Sequence, residues 1–271
     1  MKNFKPLTIL LVAMIATALL PSPALAQLAQ VGKTQKRSYQ FEEAGKEMEY
    51  TLFASSKVDA AKPAPLLVLL HGLGSNPGQV IRYRGIREEA EKRGYIVVAP
   101  YGYNSRGWYG SRGKGKQGSH FGRKGDPDNL GELSEKDVMN VLGIVRKEFK
   151  IDVQRIYLAG HSMGGGGTLY LGSSYPKIWA ALAPMSPAAY FSTKKLESLK
   201  KIPVMIVTGD KDKLVPVKQV RRWVKEMEEL GIEHVYEEIK DGNHITSITN
   251  NPEMIGRVFD FFDKHQREKS Q

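Results

Sequence analysis

Two patterns of hydrophobic positions recur along the chain and predict its elements. Short, largely apolar runs, typical of buried strands, lie at residues 66–70, 95–99, 155–159, 180–183 and 204–208, and a strand-like segment follows at 235–239. Between them, apolar side chains recur at helical spacing in residues 138–149, 220–230 and 254–262. Buried strands that alternate with amphipathic helices predict an α/β fold with a mostly parallel central sheet and helices on both faces.

Local signals add detail to this pattern. Alternating apolar residues over positions 36–54, interrupted by a turn at Gly45, predict an antiparallel hairpin before the first buried strand. Ser134 and Asp137 have the spacing of a capping pair and predict the start of the helix that follows them. No internal repeat or interdomain linker interrupts the pattern, which favours one domain over residues 27–271.

The first 26 residues have the organisation of a secretory signal peptide. Lys2 and Lys5 precede an apolar run over residues 7–20, and small residues at Ala24 and Ala26 mark a cleavage site. A membrane anchor is the alternative, but the run is shorter than the roughly 18 apolar residues that span a bilayer. We therefore expect cleavage after Ala26 and a secreted or periplasmic protein without stable membrane insertion.

Composition narrows the chemistry. The chain contains no cysteine, which excludes disulfide bonds, thiolate metal sites and a cysteine nucleophile. The net charge is +11, yet the cations are scattered and no nucleic-acid-binding motif accompanies them, so no nucleic-acid partner is expected.

The sharpest motif is Gly-His-Ser-Met-Gly at residues 160–164, which matches G-x-S-x-G and follows a predicted strand. In this motif a tight strand-to-helix turn exposes the serine, here Ser162, as a nucleophile. A second signal, His-Gly-Leu-Gly, follows the first buried strand at residues 71–74. The backbone N–H groups of Leu73 and Met163 could then form a two-donor oxyanion hole.

Candidates for the other catalytic groups follow downstream. Asp210 and Asp212 lie in a loop after a buried strand, and His244 follows a glycine turn after the next strand. Either aspartate could instead cap a turn, and a lone loop histidine is usually a surface residue. The chain order of serine, acid and histidine, however, is the order that a serine hydrolase of this architecture requires.

Together these motifs resemble the α/β-hydrolase superfamily, over residues 65–264. Within it the chain is similar to secreted esterases of the feruloyl-esterase and polyhydroxybutyrate-depolymerase-like group, and to the phospholipase/carboxylesterase group. The resemblance implies a Ser162–His244–Asp212 triad that cleaves carboxylic esters without metal or organic cofactor. It selects Asp212 over Asp210 as the acid.

The long segment 101–131 shows neither strand-like nor helical spacing of apolar residues, and it is rich in glycine and basic residues. Such loops are usually functional, and this one follows a strand end, where ligands of α/β sheets bind. We expect it to line the substrate entrance, with Trp108 and Tyr109 offering flat apolar surface. The motif residues His71 and His161 are also expected to contact substrate. Cations of the loop would attract anionic substrates: Arg106, Arg112, Lys114, Lys116, Arg123 and Lys124. A solvated basic loop without function fits the composition equally well.

Three alternatives remain at this stage. A serine peptidase related to the prolyl oligopeptidase catalytic domain would use the same triad. A lipase would favour an apolar lid, which segment 101–131 is not. A catalytically inactive binding module could also use this fold. The expected partner is a small-molecule or polymer-linked ester substrate. The sequence gives no prediction of oligomeric state.

Overall fold

A computed structural model describes Met1 and residues 30–116 and 122–268. The predicted signal peptide therefore lies outside the described residues except for Met1, as do His120 and Phe121 of the long loop. None of the described helices combines the length and apolar character that crossing a bilayer requires.

The described residues form one eight-stranded sheet with the order β1-β2-β4-β3-β5-β6-β7-β8. Its strands are β1 (Thr34–Phe41), β2 (Lys46–Ala54), β3 (Ala64–Leu70), β4 (Ile96–Pro100), β5 (Ile151–His161), β6 (Ala181–Met185), β7 (Val204–Gly209) and β8 (His234–Ile239). The pairs β1–β2 and β2–β4 are antiparallel, and all the others are parallel. The predicted hairpin and mostly parallel sheet are confirmed.

The helices are α1 (Pro77–Val80), α2 (Ile86–Arg93), α3 (Leu130–Glu148), α4 (Met163–Ser174), α5 (Val217–Glu229), α6 (Thr246–Thr249) and α7 (Pro252–Lys264). Short 3₁₀ turns occupy Glu42–Ala44, Trp108–Gly110 and Thr193–Leu199. The last helix begins with Pro252 in its first position, and the Asn251 side chain accepts a hydrogen bond from the Met254 N–H at 3.0 Å.

Helices cover both faces of the sheet. Alternate residues of β3 belong to opposite core clusters, with Leu66 and Val68 on one face and Leu67 and Leu69 on the other. The first cluster includes apolar side chains of α3, α4 and α5, and the second includes those of α2, α6 and α7. A strand enclosed in this way has no polar face, which explains why its sequence is apolar throughout.

The predicted start of α3 at Ser134 is wrong. The helix begins one turn earlier, at Leu130, and Ser134 lies buried inside it. Its hydroxyl donates to the carbonyl oxygen of Gly102 at 2.6 Å and accepts a hydrogen bond from the Tyr109 N–H at 3.0 Å. The polar pattern that resembles a helix cap therefore serves a tertiary contact, which attaches the long loop to α3.

Asp137, the other half of the expected capping pair, is likewise buried in α3. One carboxylate oxygen accepts a hydrogen bond from the Tyr39 hydroxyl at 2.7 Å, and the other accepts one from the Gly102 N–H at 2.6 Å. Burial raises the pKa of Asp137 to about 6, against the opposing effect of these hydrogen bonds. Asp137 thus joins the hairpin and the long loop to the same helix.

Candidate active site

Ser162 lies on a strained turn between β5 and α4. Its φ of 58° and ψ of −114° are rarely adopted by a residue that carries a side chain. Neighbouring backbone holds it there: the Ser162 N–H donates to the Met185 carbonyl oxygen at 2.9 Å, and the Ser162 carbonyl oxygen accepts from the Ala188 N–H at 2.9 Å. This is the geometry that exposes a nucleophile at the top of a sheet.

The positions two before and two after Ser162 must be glycine, because a side chain there would not fit. A Cβ at Gly160 would lie 2.4 Å from the carbonyl oxygen of Gly164, and a Cβ at Gly164 would lie 2.3 Å from that of Leu70. Two further glycines of α4 are as crowded, since a Cβ at Gly165 would lie 2.7 Å from the Met185 carbonyl oxygen and one at Gly166 would lie 2.2 Å from that of Ala188. The spacing of G-x-S-x-G thus follows from backbone packing on both sides of Ser162.

Two backbone N–H groups beside Ser162 are available as hydrogen-bond donors. Among the hydrogen bonds of the described residues, neither the Leu73 N–H nor the Met163 N–H donates to a protein acceptor. Met163 is the first residue of α4, where N–H groups have no intrahelical partner and the helix dipole favours negative charge. Leu73 follows Gly72, where an added Cβ would lie only 3.5 Å from the Ser162 Cβ. The loop after β3 therefore passes directly beside Ser162.

A carboxylate and an imidazole form a direct pair nearby. His244 Nδ1 lies 2.6 Å from Asp212 Oδ2, and both residues are buried. The other oxygen of Asp212 accepts hydrogen bonds from the N–H groups of Leu214 and Val215 at 2.9 and 2.8 Å. Burial acts to raise the pKa of Asp212, but the hydrogen bonds from His244 and from these N–H groups outweigh it and hold the pKa below its ordinary value. Asp212 is therefore ionised at neutral pH and fixes the imidazole.

Asp210 is not part of this pair. One of its carboxylate oxygens is buried without a hydrogen-bond partner among the described residues, and its N–H donates to the Ile239 carbonyl oxygen at 3.1 Å. The loops that carry Asp212 and His244 meet where a Cβ at Gly209 would lie 2.2 Å from the Gly242 carbonyl oxygen. Glycines at this crossing allow the two loops to touch.

The candidate catalytic residues all lie at one edge of the sheet. Leu73, Ser162, Asp212 and His244 follow the carboxyl ends of β3, β5, β7 and β8 respectively. Parallel strands bring these ends together, which is why the motifs are far apart in sequence and adjacent in space. Within the described residues, no group of three or more His, Asp or Glu side chains is arranged to hold a metal ion.

His161 lies beneath this edge, with 3% of its surface exposed. Its Nε2 lies 2.8 Å from the carbonyl oxygen of His244, and its Nδ1 lies 3.1 Å from the Tyr83 hydroxyl. Because a carbonyl only accepts, Nε2 carries the proton and Nδ1 accepts from Tyr83. Burial, and then the neighbouring His244, lower the pKa of His161 to about 4, so the ring is neutral. This burial argues against the expected substrate contact and assigns His161 to the support of the His244 loop.

His71 is also enclosed, and burial lowers its pKa. Its Nδ1 lies 2.8 Å from the Gly72 carbonyl oxygen and its Nε2 lies 2.9 Å from that of Tyr101. The ring therefore connects the loop after β3 with the start of the long loop. Like His161, it presents no surface for the substrate contact expected from sequence.

Trp108 and Tyr109 are buried as well, with 2% and 0% of their surfaces exposed. The Tyr109 hydroxyl donates to the His71 carbonyl oxygen at 3.1 Å, and the Trp108 ring lies edge-on to Tyr190 with centroids 5.7 Å apart. The two rings anchor the loop to the core. Because they are buried there, they offer no flat surface to a substrate. The exposed ring is that of Tyr190, which sequence reasoning missed because β6 carries no chemical motif at its end.

Four exposed apolar side chains follow strand ends at the same edge of the sheet as the candidate site. Leu73, Tyr190, Leu214 and Ile245 have 46%, 50%, 67% and 50% of their surfaces exposed. Leu214 follows Asp212 by two residues, and Ile245 directly follows His244. We call these four side chains the apolar rim.

Tyr83, like Tyr190, was not predicted from the sequence, since only the fold brings it to His161.

Two family models match the chain. One, described as serine aminopeptidase S33, covers residues 61–201, just over half of the chain, and the other, described as PET hydrolase-like, covers residues 140–267. Their overlap contains the G-x-S-x-G turn.

Individual proteins with similar sequences are known. The chain is 27% identical over 165 residues to a bifunctional acetylxylan esterase/xylanase of Neocallimastix patriciarum, covering 61% of this chain and 22% of that protein. It is 41% identical over 68 residues to cutinase 2 of Thermobifida cellulosilytica, covering 25% of this chain and 24% of that protein. The chain thus spans a quarter or less of the length of these relatives.

The fold has close structural counterparts. A ferulic acid esterase of Anaeromyces mucronatus, solved in complex with ferulic acid, superimposes with a TM-score of 0.66 at 17% identity. The match covers 90% of this chain and 95% of that structure. At this identity the likeness concerns the fold.

Proposed function

Because the chain belongs to the α/β-hydrolase superfamily, we propose that it is a secreted serine hydrolase that cleaves carboxylic esters through a Ser162–His244–Asp212 triad. The observation that carries the proposal is the 2.6 Å hydrogen bond between His244 and the ionised Asp212, at the sheet edge where Ser162 occupies its strained turn. The predicted signal peptide supports secretion.

The first half of the reaction is acylation of Ser162. His244 accepts the hydroxyl proton as Ser162 Oγ attacks the ester carbonyl, and the resulting oxyanion accepts hydrogen bonds from the N–H groups of Leu73 and Met163. The C–O bond of the ester then breaks, and the alcohol leaves with the proton from His244. Asp212 holds the imidazole in one tautomer and stabilises its protonated form.

The second half is hydrolysis of the acyl-enzyme. Water replaces the alcohol, His244 accepts its proton, and the new tetrahedral intermediate collapses to release the carboxylic acid and restore the Ser162 hydroxyl. Every proton transfer uses the same imidazole, so the reaction requires no metal or organic cofactor.

The apolar rim supports a preference for apolar or aromatic esters. Its side chains follow strand ends at the same sheet edge as the catalytic residues, so a bound substrate would cover apolar surface that is otherwise in water. Acetylxylan esterase and cutinase among the similar proteins agree with an ester substrate, either a small molecule or a polymer-linked ester.

Labelling with a fluorophosphonate probe tests the proposal directly. The wild type should be labelled, and Ser162→Ala should lose labelling and at least about 10⁴-fold of kcat on p-nitrophenyl esters while its circular dichroism is unchanged. Ser198→Ala, which removes an exposed hydroxyl on the turn after β6, should behave as the wild type.

The same samples distinguish the alternatives. Hydrolysis of aminoacyl p-nitroanilides in preference to esters would identify a peptidase. If a folded wild-type protein showed neither labelling nor turnover, the result would support a catalytically inactive binding module.

A further inference from the structure

A recess of about 350 Å³ lies beside the apolar rim. It is lined by residues 111–113 of the long loop, Tyr170 of α4, residues 190–191, and Lys195. We call it the Arg112 recess. Its lining combines two cations, Arg112 and Lys195, with three aromatic rings and no acidic residue.

The cations of the Arg112 recess lie against the rings. The Arg112 guanidinium carbon is 5.1 Å from the ring centroid of Trp108 and 5.0 Å from that of Tyr190. The Lys195 ammonium is 4.6 Å from the ring centroid of Tyr170. Contacts of this kind hold a cation against an aromatic ring and restrict its position. The recess therefore places two cations next to exposed aromatic surface.

The charge of Lys195 is not balanced by an acidic neighbour. Lys195 makes no ion pair with any described residue, and residues 2–29, 117–121 and 269–271 contain no Asp or Glu that could supply one. The acid beneath Tyr170 is Glu135, whose oxygens accept hydrogen bonds from the hydroxyls of Tyr170 and Tyr175 at 3.1 and 2.5 Å. A ligand that matches the recess combines an aromatic ring with an anionic group.

The backbone segment after β6 links the recess to the candidate active site. The Ala188 N–H bonds to the Ser162 carbonyl oxygen, and Tyr190 follows two residues later. Tyr170 lies eight residues beyond Ser162 along α4, which at 1.5 Å per residue is about 12 Å. One aromatic ring is too short to bridge this distance, so a substrate that reaches both must be extended.

We propose that the Arg112 recess is a subsite for a carboxylate-bearing aromatic group at the far end of an extended ester, about 12 Å from the bond that is cleaved. The ring packs against Tyr190 and Phe191, and the carboxylate accepts hydrogen bonds from Arg112 and Lys195. The role as a substrate subsite rests on the proposed esterase function. The binding of an aromatic carboxylate does not.

Binding is therefore measured first, without catalysis. In the Ser162→Ala background, calorimetric titration with biphenyl-4-carboxylate and with the neutral biphenyl-4-carboxamide should show at least about fivefold tighter binding of the carboxylate. The double variant Arg112→Gln/Lys195→Gln should lose this difference. Lys194→Gln/Lys201→Gln, which removes the same net charge from exposed positions outside the recess, should retain it.

Kinetics then test the link to catalysis. For two extended aryl esters that differ only in a terminal carboxylate or carboxamide, the ratio of kcat/KM should fall about fivefold in Arg112→Gln/Lys195→Gln and stay constant in the control variant. Equal affinity for both probes, or equal losses in the control variant, would overturn the subsite. Carboxylate binding without turnover of any ester would leave the recess in place and reject the proposed function.

Discussion

His161 donates a hydrogen bond from Nε2 to the backbone carbonyl oxygen of His244 over 2.8 Å. The residue before Ser162 therefore holds the loop of the proposed base, while Asp212 holds the imidazole itself. Misplacement of a catalytic group by about 1 Å can cost on the order of 10²-fold in rate.

The first prediction is that His161→Leu lowers kcat by about 10- to 100-fold with little change in KM, since the imidazole is displaced and the substrate surface is not. Steady-state kinetics on a p-nitrophenyl ester measure this. His161→Gln, whose amide can donate to the same carbonyl, should recover most of the loss. A Gln variant as slow as the Leu variant would show that volume rather than the hydrogen bond matters.

The second prediction separates the two aspartates. Asp212→Asn should reduce kcat by about 10⁴-fold, because the amide can present a donor to His244 Nδ1 and favour the wrong tautomer. Asp210→Asn should stay within a few-fold of the wild type, since Asp210 does not contact His244. The two variants carry the same chemical change two residues apart and are compared at one pH. A larger loss in Asp210→Asn would reverse the assignment.

The third prediction concerns stability against pH. The pKa of His161 is about 4 in the folded chain and about 6.5 when unfolded, so between these values the unfolded chain binds more protons and stability falls as pH falls. The shift corresponds to about 3 kcal/mol. The wild type should therefore lose up to that much of its stability advantage over His161→Gln between pH 7.5 and 4.

Urea unfolding of both proteins at several pH values measures this difference. The comparison has to be between variants, because the raised pKa of Asp137 acts in the opposite direction: the folded chain binds the extra proton there, and stability gains on acidification. An unchanged difference across the range would contradict the neutral, buried state of His161.

The fourth prediction distinguishes support from substrate contact in the long loop. Trp108→Ala should lower the free energy of unfolding by about 3 to 5 kcal/mol and reduce activity on all esters alike, because the ring is buried. Tyr190→Ala should change stability by less than about 0.5 kcal/mol but lower kcat/KM for aryl esters more than for acetyl esters. If only Trp108→Ala lost activity selectively on aryl esters, the result would support the expectation from sequence that Trp108 contacts substrate.

Chemistry that depends on local backbone could be predicted from the sequence. The turn around Ser162 needs glycine on both sides, and the β3 strand needs apolar residues on both faces, so each leaves a local pattern. The pairing of Asp212 with His244 followed from chain order together with family resemblance, and His244 alone would have looked like an ordinary loop residue.

Roles that depend on tertiary contacts left no such pattern. Ser134 has the same spacing as a helix cap, and only the packed loop shows that its hydroxyl bonds to Gly102 and Tyr109 instead. The sequence around Trp108 would look the same whether its ring anchors the loop or contacts substrate. His161 can be assigned to the His244 carbonyl only once β5 and the loop after β8 are side by side.

The glycines that open α4 have a consequence for how the protein folds. Residues 164–167 are four consecutive glycines within the first two turns of a helix, and each is roughly 1 kcal/mol less favourable there than alanine. A segment of this composition cannot nucleate a helix alone, so α4 forms against β6 and the backbone around Ala188 that encloses it. The strained Ser162 turn depends on the same neighbours. A nascent or partly folded chain is therefore expected to lack the turn that exposes the proposed nucleophile until the long-range contacts of the sheet are complete.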